Sequence, residues 1–507
     1  MTLDFTLRDV AVRPIEDEAP GACDLVFRGG RLVGRRASPP QTPPRLFAYP
    51  GFWDAHMHML HFGLARQRLD LSGATSLEGA LSALEAHAHA QPERTVLWGE
   101  GWDETVWPEL RPPTSAELDR VVADRPVILR RVCGHLAVLN SRALAQAAAR
   151  GPHLDPTGVV TEEQAMGLAA IWPPTPAERE RALVDAQGEA LRMGIVHVSE
   201  MGGEGAVDAY LGMIKHGALQ TDVSLYFRPS QFDLALRLRE EGWLDAGPLR
   251  CGGIKAFADG SIGARTAALR EPYADAAGCG RLLLGDEQLR ALLSRCLDAR
   301  IPCAIHAIGD AACDQVIGQA ERVAAAQGPV PRGWASLEHA ELIDGPLLER
   351  AARIRLRLSM QPNFIARWGE PGGLYERALG PARWARLNPL RSVWEAGLPL
   401  VFGSDGMPMD PAVGLRGAAR HPVAGFRLTA DEGLAVYGGL REAGATEWEG
   451  ESPWRFGCDR FVLFDRDPAG MAEPGAAALP ARAILRRREW LVPPPEDLVR
   501  RGVLHAE

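Results

Sequence analysis

The sequence predicts an α/β chain built as a (β/α)8 TIM barrel, with an inserted subdomain and a small β-sandwich domain assembled from both termini. Three observations carry that prediction. Eight short apolar runs recur along the chain, each closing on a polar or titratable residue. Helix-like segments, such as Asp286 to Ala299 and Ala311 to Ala326, lie between several of them. The interval between the first two runs is far longer than one crossover needs. Strand alternating with helix points to a parallel sheet. Eight such units with polar strand ends point to a barrel whose C-terminal strand ends hold the site.

In order, the runs are Phe47 to His58, Ile195 to Glu200, Val223 to Arg228 and Gly253 to Asp259. Pro302 to His306, Ala335 to His339, Arg355 to Gln361 and Leu398 to Asp405 complete the set. Proline-rich punctuation at Pro39 to Pro44, Pro112-Pro113 and Pro173 to Pro176 marks loops or boundaries. The first of these separates a β-like opening, Leu25 to Val33, from the first run. Residues 62–185 are expected to form the insertion, which includes the aromatic stretch from Leu97 to Asp103. Near the C-terminus, Phe461 to Phe464 and Ala483 to Leu485 read as strands pairing with the N-terminal segment. The expected organisation is therefore β domain over 1–48, barrel over 49–440, and the rest of the β domain over 441–507.

Composition narrows the function. A net charge of −9 argues against nucleic acid or an anionic membrane as partner, leaving a small molecule. No stretch approaches the roughly 20 apolar residues of a membrane span, and the first 20 residues mix Asp, Arg and Glu in a way foreign to a secretory signal. Eight cysteines without a Cys-x-x-Cys pair suggest reduced thiols in a cytoplasm. Of the 56 basic residues only Lys215 and Lys255 are lysine. Coding bias accounts for the arginines, but arginine cannot replace a lysine whose neutral amine does chemistry.

The most informative segment is Pro50-Gly51-Phe52-Trp53-Asp54-Ala55-His56-Met57-His58. On an extended strand, residues two apart share a face, so His56 and His58 can reach one metal ion. His87 and His89 have the same spacing, but their Ala-rich surroundings predict a helix, where positions two apart diverge. The first pair also has partners. Strand four ends near Lys255, strand five at His306, strand six at His339 and strand eight at Asp405. Singly, each is more often a bonded core histidine, a salt-bridged lysine or a turn cap. Jointly, at the ends of the right strands, they point to a metal centre.

These residues lie in motifs that resemble the metal-dependent amidohydrolase superfamily, in particular its YtcJ-like (amidohydrolase family 3) branch. The resemblance rests on PGFWDAHMH (50–58), IKAFADGSIGARTAAL (254–269), IHAIGDAA (305–312), EHAELI (338–343) and FGSDGMP (402–408). It implies that His56, His58 and Asp405 hold one divalent ion, that His306 and His339 hold a second, and that a carbamylated Lys255 bridges them. Zinc is the default metal for such ligands. Two ions roughly 3.5–4 Å apart would activate a bridging hydroxide, with Asp405 as general base and acid. Asp54 would orient the His-x-His strand. Trp102, Asp103 and His135 in the insertion match a pocket cover. Asp259, Ser261 and Arg265 after strand four, with Gln361 and Asn363 after strand seven, are candidates for substrate contact. A homodimer is the assembly the family suggests.

The reading is thus a metal-dependent hydrolase of a C–N bond, in an N-substituted amide or N-acyl compound. Rival readings are a lactone or ester hydrolase or single-metal deacylase on the same scaffold, and a metal-free binding or assembly relative. All six ligand positions are filled, which disfavours the last. The chain departs from the family in its shortened segment around Gly438 to Ser452 and in Glu200, where many relatives have Asp.

Overall fold

The computed structural model describes residues 3–12, 22–38, 44–131, 136–149, 155, 157–161, 168, 171–203, 205–245, 247–439, 460–486, 489–500 and 503–506. The chain divides into two compact units, Met1–Met59 with Ala186–Glu507, and Leu60–Asp185. Among the described residues no helix is long and apolar enough to cross a membrane.

Eight parallel strands form the barrel of the first unit, and each corresponds to one of the expected runs. They are Phe52–Met57, Ile195–Glu200, Asp222–Phe227, Leu249–Phe257, Cys303–Ala307, Ala335–His339, Arg357–Met360 and Leu400–Phe402. Each pairs with its neighbour in chain order, from the first strand to the eighth. The first and eighth strands meet through specific bonds. The Asp405 N–H donates to the His56 carbonyl at 2.7 Å, and the Ser404 N–H and hydroxyl donate to the Asp54 carboxylate at 2.8 and 2.5 Å. Gly403 permits that approach, because a Cβ there would fall 2.4 Å from the His56 nitrogen.

The first run proved to be two strands. Leu46–Tyr49 belongs to the terminal sheet and Phe52–Met57 to the barrel. Pro50 lacks an N–H for a ladder and Gly51 takes φ 98°, so the chain turns there from one sheet into the other. The helices Asp286–Asp298 and Asp310–Gln327 fall where expected. Leucines at 289 and 293 and Cys296 give the first a buried stripe at helical spacing.

Both termini build one eight-stranded, mostly antiparallel sheet. Phe461–Phe464 joins its two halves, pairing with Leu46–Tyr49 on one side and Ala483–Arg486 on the other. Phe5, Phe27 and Phe461 meet in a single core with ring centroids 4.6 to 6.4 Å apart. Most of the shortened segment from Gly438 to Ser452 lies outside the described residues, as do Cys458 and Asp459.

The second unit has its own five-stranded sheet, ordered Val159–Thr161, Leu136–Leu139, Val127–Arg131, Leu97–Trp102 and Leu69–Asp70. Helix Leu77–Ala90 covers its core with Leu77, Leu81, Leu84 and Ala88, and carries the decoy His87 and His89. Thr114 and Glu117 form a capping box on the next helix, Ser115–Val121.

Candidate metal centre

Parallel strands deliver His56, Lys255, His306 and His339 to the C-terminal end of the barrel, with His58 and Asp405 just beyond strands one and eight. The Nε2 atoms of His56 and His58 lie 3.8 and 3.4 Å from Asp405 Oδ1. The His339 ring stands 4.6 Å from that of His56 and 4.5 Å from that of His306. One ligating atom each from His56, His339 and Asp405 falls within 4.8 Å of the others, close enough to share a cation. Two backbones in the cluster are left-handed, with φ 74° at His339 and 54° at Asp405, conformations that non-glycine residues keep where surrounding structure enforces them.

The imidazoles are oriented from behind. His56 Nδ1 donates to Glu338 Oε2 at 2.5 Å, and the Ser336 hydroxyl donates to the other Glu338 oxygen at 2.5 Å. His339 Nδ1 donates to Gln361 Oε1 at 2.6 Å, while the Gln361 amide donates to the Ser359 carbonyl. His306 Nε2 donates to the Gly260 carbonyl at 2.9 Å. An acceptor behind one ring nitrogen fixes the proton there, leaving a lone pair on the other, which is the ligating form. Burial, reinforced by neighbouring positive groups, holds His56 and His339 well below the usual imidazole range and His306 near pKa 3. All three are neutral at pH 7.

Lys255 is wholly buried, and among the described residues its Nζ has no hydrogen-bond partner. Burial pulls its pKa down to about 8, against the attraction of Glu338 and Asp405. Asp405 is pushed up to about 7 by burial, with Lys255 opposing. Neutral imidazoles, a carboxylate and an orphaned amine form a donor set that fits divalent cations.

A family model described as "Amidohydrolase family" matches residues 46–444. The chain belongs to the amidohydrolase family. This amidohydrolase is 30% identical over 420 residues to YtcJ of Bacillus subtilis (strain 168), named as an amidohydrolase, covering 78% of each chain. Two solved structures of uncharacterized metal-dependent hydrolases are also similar. That from Pyrococcus furiosus has a TM-score of 0.75 and 27% identity, covering 92% of this chain and 99% of its own. That from Pyrococcus horikoshii OT3 has a TM-score of 0.73 and 25% identity, covering 92% and 98%. The family and barrel expected from the motifs are those found, and they make the protein a hydrolase of the metal-dependent amidohydrolase superfamily.

The other residues singled out in the sequence have partners of their own. Asp259 accepts backbone N–H groups from Ala268, Ile308 and Gly309, all at 2.9 to 3.0 Å, and so ties the loops after strands four and five together. Arg265 is turned to Asp275, and the Ser261 hydroxyl accepts the Ala264 N–H. Gln361 anchors His339, and Asn363 donates to the carbonyls of Pro408 and Asp410 beyond strand eight. Trp102 packs beside Trp107 in the core of the insertion, where Asp103 pairs with Arg131. His135 lies outside the described residues. Sequence reasoning missed Glu338, although it stands beside His339 in the EHAELI motif.

Proposed function

We propose that this amidohydrolase cleaves the C–N bond of an N-substituted amide or N-acyl compound at a binuclear centre. Its ligands are His56, His58 and Asp405 for one ion, His306 and His339 for the other, and a carboxylated Lys255 between them. The amine of Lys255 is the observation that carries the reading. As a buried, unpaired ammonium it would cost several kcal/mol. As a neutral amine it can add carbon dioxide, releasing a proton and giving a carbamate with two oxygens to offer.

Divalent cations bound there, zinc by default for an imidazole-rich set, supply Lewis acidity to the scissile carbonyl and acidify a water. Asp405 accepts the proton at its carboxylate and passes it to the leaving nitrogen. Glu338, Gln361 and the Gly260 carbonyl keep the imidazoles aimed while this happens. Asp54 holds the eighth strand against the first through Ser404, which fixes Asp405 relative to His56.

Elemental mass spectrometry on protein purified without added metal or chelator tests the reading. About two transition-metal ions per chain are expected. One ion would reduce the centre to a mononuclear one. No metal, and none taken up from zinc and bicarbonate, would overturn the reading. Glu338→Ala is expected to weaken metal retention by about 10- to 100-fold, since it frees the His56 ring. Competition with a chelator measures this, and unchanged retention would remove Glu338 from the site.

A further inference from the structure

Arg228 directly follows the third barrel strand and is half-buried. Its guanidinium carbon lies 5.2 Å from the centroid of the Phe257 ring. The same ring has Lys255 Nζ at 5.0 Å and the His306 ring at 5.1 Å. Arg228 is therefore grouped with the proposed centre around one aromatic side chain, at the end of the barrel where the histidines converge.

Among the described residues this guanidinium has neither an ion-pair nor a hydrogen-bond partner; only the main-chain N–H of Arg228 is engaged, donating to Gln231 Oε1 at 3.1 Å. That sets it apart from Arg131, Arg350 and Arg391, each held by carboxylates. Three acids at this end of the barrel are engaged elsewhere. Glu200 receives the Tyr210 hydroxyl, Glu338 receives His56 and Ser336, and Asp259 receives three backbone N–H groups. The guanidinium lies over the Phe257 ring, and its fork of N–H donors has no acceptor among the described residues. Such a fork of donors matches the two oxygens of a carboxylate.

We infer that Arg228 recognises a carboxylate on the substrate, so that the compound hydrolysed is an amide bearing an acid group. The inference rests on the amidohydrolase reading above and narrows its substrate class. A lysine would present only a point charge here, and a neutral substrate would leave the guanidinium edge unused.

The test uses two probes of matching shape, N-benzoylglycine and N-benzoylglycinamide. Each is titrated calorimetrically into the full-length, metal-loaded protein, as wild type, Arg228→Gln and Arg228→Lys, with metal content measured in all three. The wild type is expected to bind the carboxylate at least about tenfold more tightly than the carboxamide. Arg228→Gln should lose that preference at unchanged metal content, and Arg228→Lys should keep part of it. Equal binding of the two probes by the wild type would overturn the assignment, as would binding of neither at millimolar concentration. So would a preference that survives in Arg228→Gln, which would place the carboxylate on the metal. Hydrolysis of neutral amides by fully loaded wild type, without any carboxylate preference, would remove Arg228 and leave the broader reading standing. Wild type that holds no metal would instead remove the broader reading.

Discussion

Lys255→Ala is expected to strip the protein of most of its metal and to lower hydrolysis by about a thousandfold or more, while Lys215→Ala changes neither by more than about twofold. The chain has only these two lysines, which makes each the control for the other. Lys215 is exposed in the last turn of helix Ala206–Lys215. Lys255 is wholly buried, near enough to His56, His306, His339, Glu338 and Asp405 to interact electrostatically with each, and among the described residues nothing hydrogen-bonds its amine. Alanine at 255 also opens a cavity, and lost packing alone could lower activity. Lys255→Met separates the two effects, because it restores the volume without the nitrogen. It should melt no lower than the metal-free wild type and still fail to hold metal in elemental analysis. Wild-type metal content in the methionine variant would rule out a bridging carbamate.

Strand positions and the titratable residues gathered at the strand ends were legible because both leave local signatures. A strand covered on both faces reads as a short apolar run, and polar residues interrupt it at the end where the site opens. The His-x-His spacing carries its own geometry, and helix Leu77–Ala90 shows how the same spacing fails in a helix. What orients those side chains was not legible. Glu338 meets His56 across 282 residues of chain, and Asp259 receives N–H groups from residues 49 and 50 positions later. Ser336 and Glu338 alternate with Ala335 and Leu337 and so share one face of the strand, but all five residues to His339 are buried, and alternation alone does not say that His56 stands opposite Glu338. Arg228 closed the third run as a polar terminus, but nothing in the sequence says that it lacks an acidic partner among the described residues. Pairing across a barrel is a property of closure, and only the three-dimensional arrangement displays it.

Asp405→Asn is expected to lower kcat by about 10²- to 10⁴-fold, the usual worth of a positioned proton-transfer group, with KM changed by only a few fold. Asparagine is the informative replacement because it keeps what alanine would lose. It tolerates the left-handed φ of 54° better than other non-glycine residues, so the backbone N–H to the His56 carbonyl should persist. Its amide oxygen can still face His56 and His58, which lie 3.8 and 3.4 Å from the present carboxylate oxygen. Ionisation is what it loses. Burial raises the Asp405 carboxyl to about 7, and bound cations would draw that value down. Wild-type kcat should therefore fall as pH drops through the carboxyl's pKa, because a protonated Asp405 cannot accept a proton. In Asp405→Asn that acid limb should vanish and leave a low, flat rate. Some metal would be lost too, so the comparison is made at saturating zinc with the loading measured. A fully loaded asparagine variant that kept wild-type kcat and the same acid limb would show that another group takes the proton. Asp405 would then be a ligand and no more.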